Sequence, residues 1–263
     1  MLLENKNAVI YGAAGAVGSA VAEAFAREGA RLFLTGRDLS QVRRLAEKIG
    51  DAGGQAEAAA VDALDEHAVA EHLEDVIGRA GRLDVSFNAV GLPQRGIQGT
   101  PLTELAGEAF ARPIAFYTGS HFITATAAAR HMAGQGSGVI VTLTATPART
   151  AAALVGGMAP AWAALEAFSR SLAAELGPAG VRVVCLRSHA IPETPLIVEN
   201  FAMMAPGAGV TPAQFRAILE EGTMLKRLPT LAEVADTAAF IASDRAGAMT
   251  ATVANLSAGG IAD

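Results

Sequence analysis

The first residues able to do chemistry are a run of glycines. An apolar β-like stretch, Asn7-Ala8-Val9-Ile10-Tyr11, gives way to Gly12-Ala13-Ala14-Gly15-Ala16-Val17-Gly18 and then to a helical pattern. Glycines between a strand and a helix let backbone N–H groups approach a pyrophosphate, whose charge is favoured at a helix N-terminus. Gly12, Gly15, Val17 and Gly18 are therefore candidate dinucleotide-binding positions. The next β-like run ends in Thr35-Gly36-Arg37-Asp38. An acidic residue closing that strand would accept hydrogen bonds from an adenosine ribose. Here the place is uncharged and Arg37 follows, which suits a 2′-phosphate. NADP(H) is the expected cofactor rather than NAD(H); the other reading of Arg37 is a solvated residue opening a helix.

The elements that must position these residues alternate regularly. Strand patterns fall at 8–11, 32–35, 58–61, 85–87, 139–143, 181–186 and 252–256, and helical patterns at 18–27, 40–49, 66–79, 111–132, 161–176 and 231–242. Alternating β and α elements predict an α/β fold: a doubly wound parallel sheet of Rossmann type with helices on both faces. No linker or repeat interrupts the pattern, so residues 1–263 read as a single domain. In such sheets the ligand sits beyond the C-terminal ends of the strands, where the winding reverses. One segment breaks the rhythm. Residues 188–228 hold Pro192, Pro195, Pro206 and Pro212 among Phe201, Met203, Met204, Phe215 and Met224. It reads as a lid over a substrate pocket, or otherwise as an oligomer contact.

Composition excludes several classes. The formal charge of −6 gives no electrostatic footprint for nucleic acid. One cysteine, Cys185, rules out disulfides within the chain and any cysteine cluster for a metal, and no metal site is expected. No stretch approaches the ~20 apolar residues of a membrane span, and residues 1–6 carry no signal-peptide core. The expectation is a cytoplasmic protein acting on a small apolar molecule.

Further along stand Val61-Asp62-Ala63, Phe87-Asn88-Ala89-Val90-Gly91, Arg170-Ser171-Leu172-Ala173-Ala174-Glu175-Leu176, Val181-Arg182-Val183 and Gly259-Gly260. In this order, behind the glycine turn and Gly36-Arg37, they resemble the short-chain dehydrogenase/reductase family across nearly the whole chain. The resemblance implies that Asp62, with Ala63, contacts the adenine, that Asn88 and Gly91 support the cofactor, and that Thr194 meets the nicotinamide carboxamide. It implies a homotetramer or homodimer. The chain departs from the pattern in its Gly-x-x-Gly-x-x-Gly spacing and in Asn88-Ala89-Val90-Gly91, where the family usually has Asn-Asn-Ala-Gly.

The family reduces carbonyls with a Ser, a Tyr-x-x-x-Lys pair and a helix Asn. Aligned back from Arg170-Ser171-Leu172, the Tyr position is Met158, the Lys position Trp162 and the Ser position Ala145; the helix Asn falls at Phe116 or Tyr117. The two tyrosines are Tyr11 and Tyr117 and the lysines are Lys6, Lys48 and Lys226, so Tyr-x-x-x-Lys exists in no register. Met and Trp cannot shuttle a proton as Tyr and Lys do. The polar candidates left are Tyr117, four residues before His121 on one helix face; His189, where the family has a glycine; and Thr144, able to hydrogen-bond a substrate oxygen. The competing reading makes Tyr117 and His121 packed core residues. Arg149 reads as a carboxylate binder or an exposed loop residue, Cys185 as core, and Glu166, one turn past Trp162, as a helix-surface charge.

These residues point to an oxidoreductase with a non-standard proton supply, reducing an imine, an enone or a carbonyl. An iminium substrate would need no acid, and Trp162 and Met158 would favour it by cation–π and polarizable contacts. The alternative is a non-redox enzyme on the same fold (cyclase, isomerase or lyase) or a catalytically silent binding protein.

Overall fold

The computed structural model describes residues 1–262. Its centre is a seven-stranded sheet: β1 (Asn7–Tyr11), β2 (Arg31–Gly36), β3 (Gln55–Ala60), β4 (Val85–Asn88), β5 (Gly138–Ala145), β6 (Val181–Ser188) and β7 (Thr252–Leu256). The strands lie in the order β3-β2-β1-β4-β5-β6-β7, and every pairing is parallel. Parallel strands covered on both faces read as unbroken apolar runs, and β1 is buried from Ala8 to Tyr11 for that reason.

Helices α1 (Ala16–Arg27), α2 (Leu39–Asp51) and α3 (Glu66–Ala80) connect the first four strands; α4 (Gly107–Gln135) and α5 (Met158–Leu176) follow β4 and β5. Between β6 and β7 lie α6 (Pro195–Met204), α7 (Pro212–Glu221) and α8 (Leu231–Ala242). One core packs Val21 and Phe25 of α1, Val42 and Leu45 of α2, and Val234 and Ile241 of α8 on one sheet face. A second core packs Val69 and Leu73 of α3, Ala128 and Met132 of α4, and Leu172 of α5 on the other. The expected doubly wound α/β sheet is thus observed. None of the described helices is long and apolar enough to cross a membrane.

The excursion at 188–228 holds two helices that its prolines had concealed. Thr194 and Thr211 act as N-caps, accepting from Ile197 N–H and Gln214 N–H, and Pro195 and Pro212 occupy the first helical positions. Proline suits that position because its missing N–H would have no helical partner there. These prolines begin helices rather than break them.

Candidate active site

The strand order reverses beside β1, and one cavity of about 1270 Å³ opens there along the carboxyl ends of the strands. Its floor is the glycine turn. Gly12 has φ +70°, and a Cβ on it would lie 2.8 Å from the backbone nitrogen of Val90. A Cβ on Gly18 would lie 2.3 Å from the Gly12 carbonyl oxygen, so α1 packs directly on the turn. Gly15 differs: a Cβ there would meet only the Gly12 oxygen, at 3.3 Å, and its open side faces the cavity. Gly15 is also the N-cap of α1 and brings no side-chain cap, so the first N–H groups of that helix stay available to a ligand. In contrast, Asp38 and Asp65 cap α2 and α3 with their side chains. A pyrophosphate fits an uncapped helix start behind a glycine cradle. Gly18→Ala is expected to destabilise the protein by about 1–3 kcal/mol through overpacking. It should also weaken dinucleotide binding by tilting α1; thermal denaturation and calorimetry check the two effects.

At the far end of the cavity stand Gly36, Arg37, Asp38, Asp62 and Ala63. Asp38 is committed to α2: its carboxylate accepts from Ser40 N–H (3.0 Å), the Ser40 hydroxyl (2.6 Å) and the Gln41 amide (2.7 Å). These hydrogen bonds hold its carboxyl down at about 2. Arg37 is exposed, lines the cavity and has no ion-pair partner among the described residues. Asp62 accepts from Leu64 N–H at 3.0 Å, which closes its loop beside the cavity.

The middle of the cavity gathers residues from four elements. Asn88 does not reach it; its amide donates to Thr124 Oγ1 (2.9 Å) and to the Ser120 carbonyl, and its Oδ1 accepts from Val90 N–H (2.9 Å). It thereby fixes the turn that carries Val90 and Gly91 into the wall. Gly18 likewise lies behind the wall rather than in it. Ala145, Trp162, His189 and Thr194 all line the cavity. The Thr194 hydroxyl is engaged as the cap of α6, donating to Ile191 O at 3.0 Å. His189 Nδ1 accepts from Ala190 N–H at 2.7 Å, which leaves the ring proton on Nε2; burial lowers its pKa and favours this neutral form.

Tyr117 and His121 part company. Tyr117 is buried to 6% exposure yet lines the cavity, its hydroxyl 4.0 Å from where a Gly91 Cβ would stand. Burial pushes its phenol up to about 12. His121 lies behind the wall with Nδ1 on the Tyr117 carbonyl at 3.0 Å, neutral because burial pulls its pKa down to about 4.

Three expectations need correction. Met158 is fully buried, packed with Tyr117, Leu92 and Leu165, and does not line the cavity, so it cannot touch a substrate as expected. Thr144 lines the cavity, but its hydroxyl turns inward to Glu166 Oε1 (3.2 Å) and Cys185 Sγ (3.3 Å) rather than out to a substrate oxygen. Glu166 is not a surface charge: it is buried and paired with buried Arg187, Nε to Oε1 at 2.7 Å and Nη2 to Oε2 at 2.9 Å. Sequence reading also missed a cluster of carboxamides in the wall, Gln94, Gln98 and Asn200. Gln94 and Gln98 follow closely on Gly91 and were open to notice. Asn200 is 106 residues from Gln94 and carried no signal.

Comparison with known proteins gives a consistent picture. A family model described as enoyl-(acyl carrier protein) reductase matches residues 12–260. An uncharacterized oxidoreductase of Bacillus subtilis (strain 168), YxbG, is 32% identical over 242 residues, spanning 92% of this chain and 86% of that protein. The crystal structure of NAD+-bound xylitol dehydrogenase shares the fold at TM-score 0.90 and 21% identity, over 98% of this chain and 100% of that one. A 7α-hydroxysteroid dehydrogenase complexed with NADH and 7-oxo glycochenodeoxycholic acid matches at TM-score 0.85 and 25% identity, over 99% and 96% of the two chains.

Proposed function

Because the chain belongs to the short-chain dehydrogenase/reductase family, we propose that it is an NADP(H)-dependent oxidoreductase whose proton is handled by Tyr117 rather than by a Tyr-x-x-x-Lys pair. The observation that carries this reading is one continuous cavity. It runs from the glycine turn and Arg37, past the Tyr117 hydroxyl, to the apolar faces of Leu154, Phe201 and Phe215. The first helical N–H groups beyond Gly15 would receive the pyrophosphate, Arg37 the 2′-phosphate, and Asp62 and Ala63 the adenine. Asn88 would act from behind by holding Val90 and Gly91, and Thr194 would stand at the carboxamide. When bound, the nicotinamide supplies the hydride, and that chemistry belongs to the cofactor.

The chain's own residues then set what can be reduced. Trp162 and Ala145 offer no acid. The Thr144 hydroxyl is held by Glu166, so the proton for a developing oxyanion comes from Tyr117, with His189 Nε2–H as the other donor on the wall. A phenol this weakly acidic suits an activated substrate, such as an imine or an enone, better than a simple ketone. The segment 188–228 serves as the lid: α6 and α7 bring Phe201, Met204, Phe215 and Ile218 to the cavity and exclude water from it.

Trp162 is the only tryptophan and lies in the cavity wall, so it reports on nucleotide directly. Titration with NADPH should quench its emission and sensitise nicotinamide fluorescence, with NADPH binding tighter than NADH. Arg37→Ala should weaken NADPH by about 1.5–3 kcal/mol, roughly ten- to hundredfold, and leave NADH little changed. If neither nucleotide perturbs Trp162 and calorimetry finds no heat, the cofactor assignment fails and a non-redox activity takes its place.

A further inference from the structure

We infer that Asn200, held in place by Gln94 and Gln98, forms a hydroxyl-binding subsite in the cavity, so that the molecule best reduced is apolar with a hydroxyl remote from the carbon that receives hydride. The inference rests on the reading of this cavity as the substrate site.

The subsite begins with three neutral carboxamides. Gln94 and Gln98 stand on the loop after β4 and Asn200 on α6, and all three line the cavity. They are 3%, 8% and 7% exposed, in a wall that also holds Leu92, Leu154, Phe201 and Phe215. Polar side chains buried to this degree normally find partners for their polar atoms. Here they do not. Gln94 Oε1 accepts from Gln98 Nε2 at 2.6 Å and from Asn200 Nδ2, so a single oxygen takes both donors. Two oxygens are left over. Asn200 Oδ1 is buried without a partner among the described residues, and Gln98 Oε1 accepts no hydrogen bond among them.

Because the surplus consists of acceptors, the group that completes the cluster must be a donor. An ether, a ketone or a carboxylate has no proton to give. An ammonium group has, but the cluster is neutral and an isolated cation is costly to bring among apolar side chains. The carboxylate next along α6, Glu199, is already engaged, its Oε1 accepting from Arg95 Nη2 at 2.8 Å. An amide would bring a carbonyl oxygen that needs a donor of its own. A hydroxyl supplies the one proton and leaves no such debt.

The unpartnered oxygen is held where it stands. Turning the Asn200 amide to find another partner would break its bond to Gln94. On one side of it Glu199 is tied to Arg95, and on the other a Cβ on Gly99 would lie 2.8 Å from the Met203 carbonyl oxygen. Three neighbouring points of α6 therefore seat it on the loop that carries both glutamines. A hydroxyl arriving at Asn200 displaces no bond within the protein, whereas a purely apolar ligand leaves the acceptor buried and unpaired, which is how such a site discriminates.

The test uses cyclohexenones carrying a straight alkyl chain of graded length that ends in hydroxyl, methoxy or methyl, with NADPH as the other substrate. The chain insulates the enone from its end group, so the three series differ only at the far end. At one chain length the hydroxyl-ended compound should exceed both others in kcat/KM by about 10–100-fold. Asn200→Leu should bring it down to the level of the methyl-ended compound without lowering Tm, since the substitution also removes the orphaned oxygen. Calorimetry measures binding of the same compounds apart from turnover. A hydroxyl preference in binding, lost in Asn200→Leu, with no compound reduced, upholds the subsite and overturns the oxidoreductase reading. Reduction of the three end groups alike at every length overturns the subsite and leaves that reading standing. No binding by any compound, or a hydroxyl preference that survives Asn200→Leu, also overturns the subsite.

Discussion

Tyr117→Phe should lower kcat for an enone or carbonyl substrate by about 10²–10⁴-fold, the usual range for a lost general acid, while leaving NADPH affinity unchanged. The hydroxyl lines the cavity beside Gly91, whereas the ring is packed among Leu92, Met158 and Leu165 and persists in phenylalanine. The substitution therefore removes one oxygen and little packing. Reduction of a preformed iminium, which takes up hydride without a proton, should be almost unaffected by the same change. The pH dependence follows from burial. Because the phenol is held up at about 12, the donor stays protonated as pH rises and is lost only near that value. Turnover should therefore hold level between roughly pH 7 and 10, with no alkaline limb from this group. Steady-state kinetics on both substrate types across that range checks each point.

Arg187→Met should cost about 3–5 kcal/mol of stability, because it strands the Glu166 carboxylate in a dry interior. Arg187 is 2% exposed and Glu166 8% by side chain, and two hydrogen bonds join them beneath Thr144. In a domain of this size that corresponds to a fall in Tm of roughly 10 °C. Arg187→Met with Glu166→Leu should recover most of the loss, since an apolar pair needs no counter-charge. Urea denaturation of the single and double variants separates a stranded charge from poor packing: if the double variant is as unstable as the single one, packing dominates.

Much of this was legible in the sequence, for identifiable reasons. Strands buried on both faces are mostly apolar, so β1 and the runs Val139–Val141 of β5 and Val183–Leu186 of β6 stand out of the sequence. The glycine turn is legible because the backbone there tolerates no side chain, as Gly12 and Gly18 show against Val90 and against each other. Arg37 is legible by its place after β2. What sequence could not show is pairing across the fold. Glu166 looks like one more polar residue on a helix until β6 brings Arg187 beneath it, and Gln94 acquires meaning only when α6 places Asn200 on its oxygen. Helices α6 and α7 were hidden for a local reason, since a proline behind a threonine cap starts a helix as readily as another proline ends one. Met158 was misplaced because aligning a residue with a catalytic position gives no information about whether its side chain still reaches the cavity.

The central claim is that hydride moves in this cavity although the chain has no Tyr-x-x-x-Lys pair. The most direct test supplies NADPH deuterated at its transferable position and screens activated imines and enones for labelled product by mass spectrometry. The account predicts a product carrying one deuterium at the reduced carbon, with matching oxidation of NADPH, and loss of the enone product in Tyr117→Phe. A product formed without label while NADPH stays reduced would contradict it, and would make the protein a non-redox enzyme on a dehydrogenase fold.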